Sequence, residues 1–95
     1  AIDQDPLGVQ GHRIKQEGPL EVWAKPLKDG STAVGMFNRG WGSMSVTLDF
    51  SDVGLGNSLV LRDLWAKKDL GSFQDRYTAT VPQHGVVMLR VKRGG

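Results

Sequence analysis

Cysteine is absent from this 95-residue chain. There is therefore no disulfide framework and no thiolate to serve as nucleophile or metal ligand, and redox chemistry says nothing about the compartment. Histidine occurs only as His12 and His84, without a His-x-x-x-His spacing, a poor set for zinc. No apolar run approaches the roughly 20 residues needed to span a bilayer, so a soluble domain without membrane partners is expected. Charge of one sign is not in excess either. Twelve Lys and Arg stand against ten Asp and Glu, a formal net charge of +2, and the signs alternate along the chain. The longest basic clusters, Lys67-Lys68 and Lys92-Arg93, read as a solvated turn and a solvated tail, so nucleic acid is not expected as a partner. The chain opens on Ala1-Ile2 with neither an initiator methionine nor the pattern of a signal peptide, and reads as excised from something longer.

What is present is a series of short alternating segments. The stretch Phe73 to Val91 reads as the last two strands of an antiparallel sheet joined by a Pro82-Gln83-His84-Gly85 turn. Phe73, Tyr77, Ala79 and Val81 share one parity of its first arm, and only Asp75 breaks the pattern. On the second arm Val87, Leu89 and Val91 share one face. Val86, Met88, Arg90 and Lys92 share the other, which begins apolar and becomes basic. Pro6, Gly8 and Gly11 mark residues 1–11 as a linker, and a short strand is possible over His12 to Gln16. Asp29-Gly30 predicts a hairpin between residues 20–27 and 32–38. Met44, Val46, Leu48 and Phe50 alternate with polar residues in the cleanest strand, followed by a loop with one helical turn capped by Ser51. A further strand runs from Leu59 to Trp65, with Trp65 at a core parity, and residues 67–71 then turn the chain. Seven or eight short strands without an internal repeat predict an all-β, antiparallel, Greek-key-like sandwich over residues 12–95.

The predicted hairpin carries apolar residues on both faces. Val22 and Ala24 share one side, while Trp23 stands among Glu21 and Lys25 on the other. Ala33, Gly35 and Phe37 oppose Val34 and Met36. A sandwich has one core, so either something outside the chain covers this outer face or these are scattered surface residues of the ordinary kind.

No residue set for catalysis emerges. No nucleophile-elbow motif accompanies His84, which is more simply a turn residue. Asp3 with Asp5, and Asp49 with Asp52, lie at turns, where aspartate is favoured for its own backbone bonds rather than as a glycosidase pair. Residues 49–54 resemble the opening of a calcium loop, but Val53 and Val60 occupy the fifth and twelfth ligand positions. Sugar binding is the main non-enzymatic candidate, because a flat exposed aromatic can stack a pyranose. Trp41, between two glycines at a hairpin tip, is the best platform and Trp23 the second. Packing over the sandwich end or a protein interface is the simpler reading of both.

Four phrases carry a resemblance when read in order: Asp3-Gln4-Asp5-Pro6-Leu7-Gly8, LEVWAKPL at 20–27, RDLWAKKDLG at 62–71 and VPQHGVVMLRV at 81–91. Together they resemble the end of glycoside hydrolase family 27, the α-galactosidases or melibiases, over nearly the whole chain. Asp3 stands where the family's linker phrase has asparagine. The resemblance implies a C-terminal β-sandwich joined by residues 1–11 to a catalytic (β/α)8 barrel. That parent would be a retaining α-galactosidase, secreted or otherwise extracytoplasmic, whose two catalytic aspartates match no position here. It implies no cofactor and no metal for this chain, which by itself would not be an enzyme. Its implied partner is the barrel, with weak galactoside binding as the alternative. Trp23, Phe37 and Trp41 are the candidate barrel or sugar contacts.

Overall fold

The computed structural model describes residues 11–27 and 30–94. The expected linker, apart from Gly11, and Asp29 of the expected turn lie outside the described residues. Eight strands are present among them: β1 (His12–Glu17), β2 (Leu20–Pro26), β3 (Thr32–Asn38), β4 (Met44–Asp49), β5 (Ser58–Asp63), β6 (Lys68–Gln74), β7 (Arg76–Val81) and β8 (Gly85–Arg93). They form an antiparallel six-stranded sheet of order β1-β2-β3-β8-β5-β6 and a two-stranded sheet, β4-β7. The expected all-β sandwich is therefore the observed one, with the last strand inserted between β3 and β5.

The expected pairing of residues 20–27 with 32–38 holds in full register, from Leu20 opposite Asn38 to Pro26 opposite Thr32. Gly30, at φ 90°, helps reverse the chain, and the Leu27 N–H closes the loop on the Ser31 carbonyl at 2.8 Å. One parity of these strands enters the core. Val22, Val34, Leu61 and Leu89 from the large sheet meet Val46 and Leu48 from the small one, with Phe50 fully buried beside them.

Three local expectations need correction. The segment Phe73 to Val81 is not one strand, because Asp75 takes φ 67° and divides it. The Asp75 amide donates to the Asn57 carbonyl and its own carbonyl accepts from Phe50 N–H, so the chain corners there and changes sheet. Aspartate tolerates that left-handed conformation better than most residues. In consequence the closing segment is not a hairpin. The turn at Pro82–Gly85 exists, with Gly85 N–H bonded to the Pro82 carbonyl, but β7 pairs with β4 whereas β8 pairs with β3 and β5.

Trp65 is the second correction, being 64% exposed instead of buried. The Asp63 carboxylate accepts the backbone N–H of both Trp65 and Ala66 at 2.9 Å, which ends β5 and swings Trp65 into a turn. Residues 68–71 accordingly belong to β6, not to a loop. Third, the helical turn spans Phe50–Val53, and Asp49 rather than Ser51 occupies its N-cap position, without a side-chain capping bond. That carboxylate is engaged elsewhere, 2.9 Å from Lys15 Nζ.

Candidate interaction surface

Strand register arranges the outer face of the large sheet in rows. Glu21, Phe37 and Val86 are directly opposite one another on β2, β3 and β8, as are Trp23, Gly35 and Met88. A third row runs Lys25, Ala33, Arg90 and Arg62. Ala33 and Met88 are buried there, with Trp23, Leu27, Phe37, Leu64 and Val86 half-buried around them in a second apolar cluster. This cluster lies on the far side of the sheet from the core, because successive residues of a strand point to opposite faces. The apolar outer face is thus one contiguous patch rather than scattered residues.

Polar groups hold the patch in shape. Trp23 donates its Nε1–H to Glu21 at 2.9 Å, and the other carboxylate oxygen of Glu21 accepts from Arg39 Nε at 3.0 Å. The Trp23 hydrogen bond is the main reason the Glu21 carboxyl is held below its usual range; burial opposes it and Arg39 assists. Arg39 in turn lies over the Phe37 ring, 5.3 Å from its centroid. In the basic row, Arg62 is answered by Asp69 at 2.7 Å, whereas Arg90 Nε is buried without a hydrogen-bond partner among the described residues.

At one end of β3 the chain turns through a tip built on Asn38. Its buried side chain accepts from Gly40 N–H at 2.9 Å and donates to the carbonyls of Gly42 and Val81 at 2.9 and 3.0 Å. The Gln83 side-chain oxygen accepts from Gly42 N–H at 2.9 Å, tying the tip to the β7–β8 turn. Trp41 stands on this tip 83% exposed, its ring perpendicular to that of His84 with 4.5 Å between centroids. His84 holds φ 53°, and a cleft of about 150 Å³ beside it is lined by Phe37, Asn38, Arg39 and Gly85.

Of the three candidate residues, Trp23 and Phe37 share the outer patch, while Trp41 stands apart on the tip with His84. Val86 and Met88 were visible in the sequence only as an apolar parity of β8. Leu64, Arg39 and Asn38 carried no signal of their own, because their roles depend on partners in other strands. The carboxylates singled out in the sequence do not converge: Asp49 pairs with Lys15, Asp52 lies on the short helix, and Asp3 and Asp5 lie outside the described residues.

Comparison with known proteins converges on one family. Residues 17–91 match the alpha galactosidase C-terminal beta sandwich domain. An alpha-galactosidase of Coffea arabica is 44% identical over 86 residues, spanning 88% of this chain and 23% of that protein. Alpha-galactosidase 2 of Arabidopsis thaliana is 38% identical over 95 residues, spanning 98% of this chain and 24% of its relative. Among solved structures, alpha-galactosidase I from Mortierella vinacea superimposes with a TM-score of 0.82 at 27% identity, over 88% of this chain and 23% of that one. A GH27 β-L-arabinopyranosidase from Geobacillus stearothermophilus gives 0.84 at 25% identity, over 90% and 20%. The chain thus spans about a quarter of the length of the relatives it matches, and it belongs to the family of C-terminal β-sandwich domains of α-galactosidases.

Proposed function

We propose that this chain is the accessory domain of an α-galactosidase-like glycoside hydrolase, and that the outer face of its six-stranded sheet seals against the catalytic barrel. Residues 1–11 join the two, and the barrel carries the hydrolysis of terminal α-galactosides with retention at the anomeric carbon. The observation that carries the reading is the second apolar cluster around Ala33 and Met88, on the face turned away from the domain's own core. Completing the burial of a half-covered Trp23 or Phe37 would contribute about 1 kcal/mol each to the joint. A barrel face bearing a carbonyl or carboxylate would also supply the acceptor that Arg90 Nε lacks, and a buried donor left without one is costly. The domain's contribution is to stabilise and shield the barrel; it brings no catalytic group.

Side-chain oxidative footprinting of this chain, alone and within the longer enzyme, tests the reading. Labelling of Trp23 and Phe37, both half-buried in the chain alone, should fall several-fold in the longer protein while Met44, on the two-stranded sheet, changes little. Equal labelling of Trp23 and Phe37 in the two forms would overturn it.

A further inference from the structure

We infer that the barrel presents a carboxylate, an aspartate or glutamate of its own, to Arg90 on the outer face of the six-stranded sheet. Such a contact presupposes that the barrel covers this face, as proposed above. Arg90 is half-buried, and its Nε is fully buried without a hydrogen-bond partner among the described residues. It stands directly opposite Ala33 on β3 and Arg62 on β5, with Lys25 beyond Ala33 on β2. Three cations therefore share one row, and only a methyl group separates Lys25 from Arg90.

The charge of the whole face is unbalanced in the same sense. Register adds Arg13, opposite Trp23, and Lys92, opposite Val60. Glu21 and Asp69, the acids of this face among the described residues, are already engaged, Glu21 by Arg39 and Asp69 by Arg62. None of the described carboxylates pairs with Lys25, Arg90 or Lys92. A backbone carbonyl from the barrel would satisfy the Nε–H of Arg90 but leave its charge unanswered once water is displaced, and a guanidinium does not escape that cost by losing its proton. A carboxylate answers both needs, because its two oxygens match the parallel N–H groups of the guanidinium fork. Trp23 and Met88 form the adjoining row, so the pair would sit beside apolar side chains, where a charged contact is stronger than in open water.

The test uses the longer enzyme and two substitutions. Arg90→Lys keeps the charge, whereas Arg90→Gln keeps an N–H donor and loses the charge. Facing a carboxylate, Arg90→Gln should shorten the half-life at elevated temperature about tenfold, while Arg90→Lys stays within about threefold of the wild type. Equal half-lives for the two variants, or a shorter one for Arg90→Lys, would overturn the assignment and favour a neutral acceptor. A carbodiimide, which joins an amine to a carboxylate in contact with it, should link position 90 of the Arg90→Lys variant to an aspartate or glutamate preceding Ala1. Absence of that link in the peptide map would overturn it as well. Oxidative labelling of the wild-type enzyme separates the two readings. With Trp23 and Phe37 protected, either failure removes the carboxylate and leaves the barrel seated on the face; with both labelled as in the chain alone, the seating itself fails and the carboxylate contact with it.

Discussion

Replacing Asn38 by alanine is the sharpest test of how the sandwich end is held. The side chain is 1% exposed and makes three hydrogen bonds to backbone groups, two in the β3–β4 tip and one at the end of β7. The bond to the Val81 carbonyl is buried, so its loss leaves an acceptor without water, at about 1–3 kcal/mol. Gly40 and Gly42 lie near the surface and can turn to solvent, so each lost bond there costs about 0.5 kcal/mol. The sum is about 2–4 kcal/mol, a large fraction of the roughly 5–14 kcal/mol expected for a domain of this size. With an m-value of about 4 kcal/mol per molar in guanidinium, the midpoint should fall by about 0.5–1 M. Asn38→Asp should be worse than alanine, because it sets a carboxylate against the Val81 and Gly42 carbonyls. Steady-state anisotropy of Trp41, with Trp23 and Trp65 replaced by phenylalanine, should drop in Asn38→Ala even where the protein is fully folded. A midpoint shift worth less than about 1 kcal/mol, or an unchanged Trp41 anisotropy, would refute the reasoning.

The Glu21 carboxyl is held below 4.5, so the stability it contributes is present above that pH and is lost as pH falls through the lowered value. Glu21→Gln should flatten the acid limb of a stability profile measured by urea unfolding; an unchanged acid limb would count against the Trp23 and Arg39 bonds. Lys15 behaves oppositely. Its hydrogen bond to Asp49, opposed by burial, raises it above 10.5, so its contribution is complete below that pH and disappears as pH climbs through the raised value. Asp49→Asn should remove this alkaline dependence at a cost below about 1 kcal/mol at neutrality, since the pair is partly exposed. Gly85→Ala should destabilise by about 1–3 kcal/mol, read as a lower melting temperature, because the added Cβ would lie 2.7 Å from Pro82 Cγ and 2.9 Å from the Pro82 carbonyl oxygen.

Which residues alternate was legible from the chain alone, since side-chain parity in a strand needs no knowledge of neighbours. Val22 with Ala24, Val34 with Met36, and Val46 with Leu48 all enter the core as their parity predicts. Glycine and the Asp-Gly signal marked the β2–β3 hairpin, and the four phrases led to the family that the comparisons establish. Periodicity failed where a backbone bond to a distant residue outweighed it. Asp75 interrupts one alternating run because Asn57 and Phe50 hold its backbone, and Trp65 leaves its run because Asp63 caps the turn beneath it. Neither partner is named by local pattern.

The same division applies to the two candidate surfaces. Alternation along the chain already makes β2 and β3 apolar on both faces and seats Trp41 between glycines at a turn. The folded arrangement alone places β8 beside β3, which joins Val86 and Met88 to Trp23 and Phe37 in one patch. It also decided that the β7–β8 turn meets the β3–β4 tip, bringing His84 to Trp41 and Val81 to Asn38. The reason is that a strand's own residues set which way each side chain points, whereas which strands become neighbours is settled by closing the whole sandwich around its core.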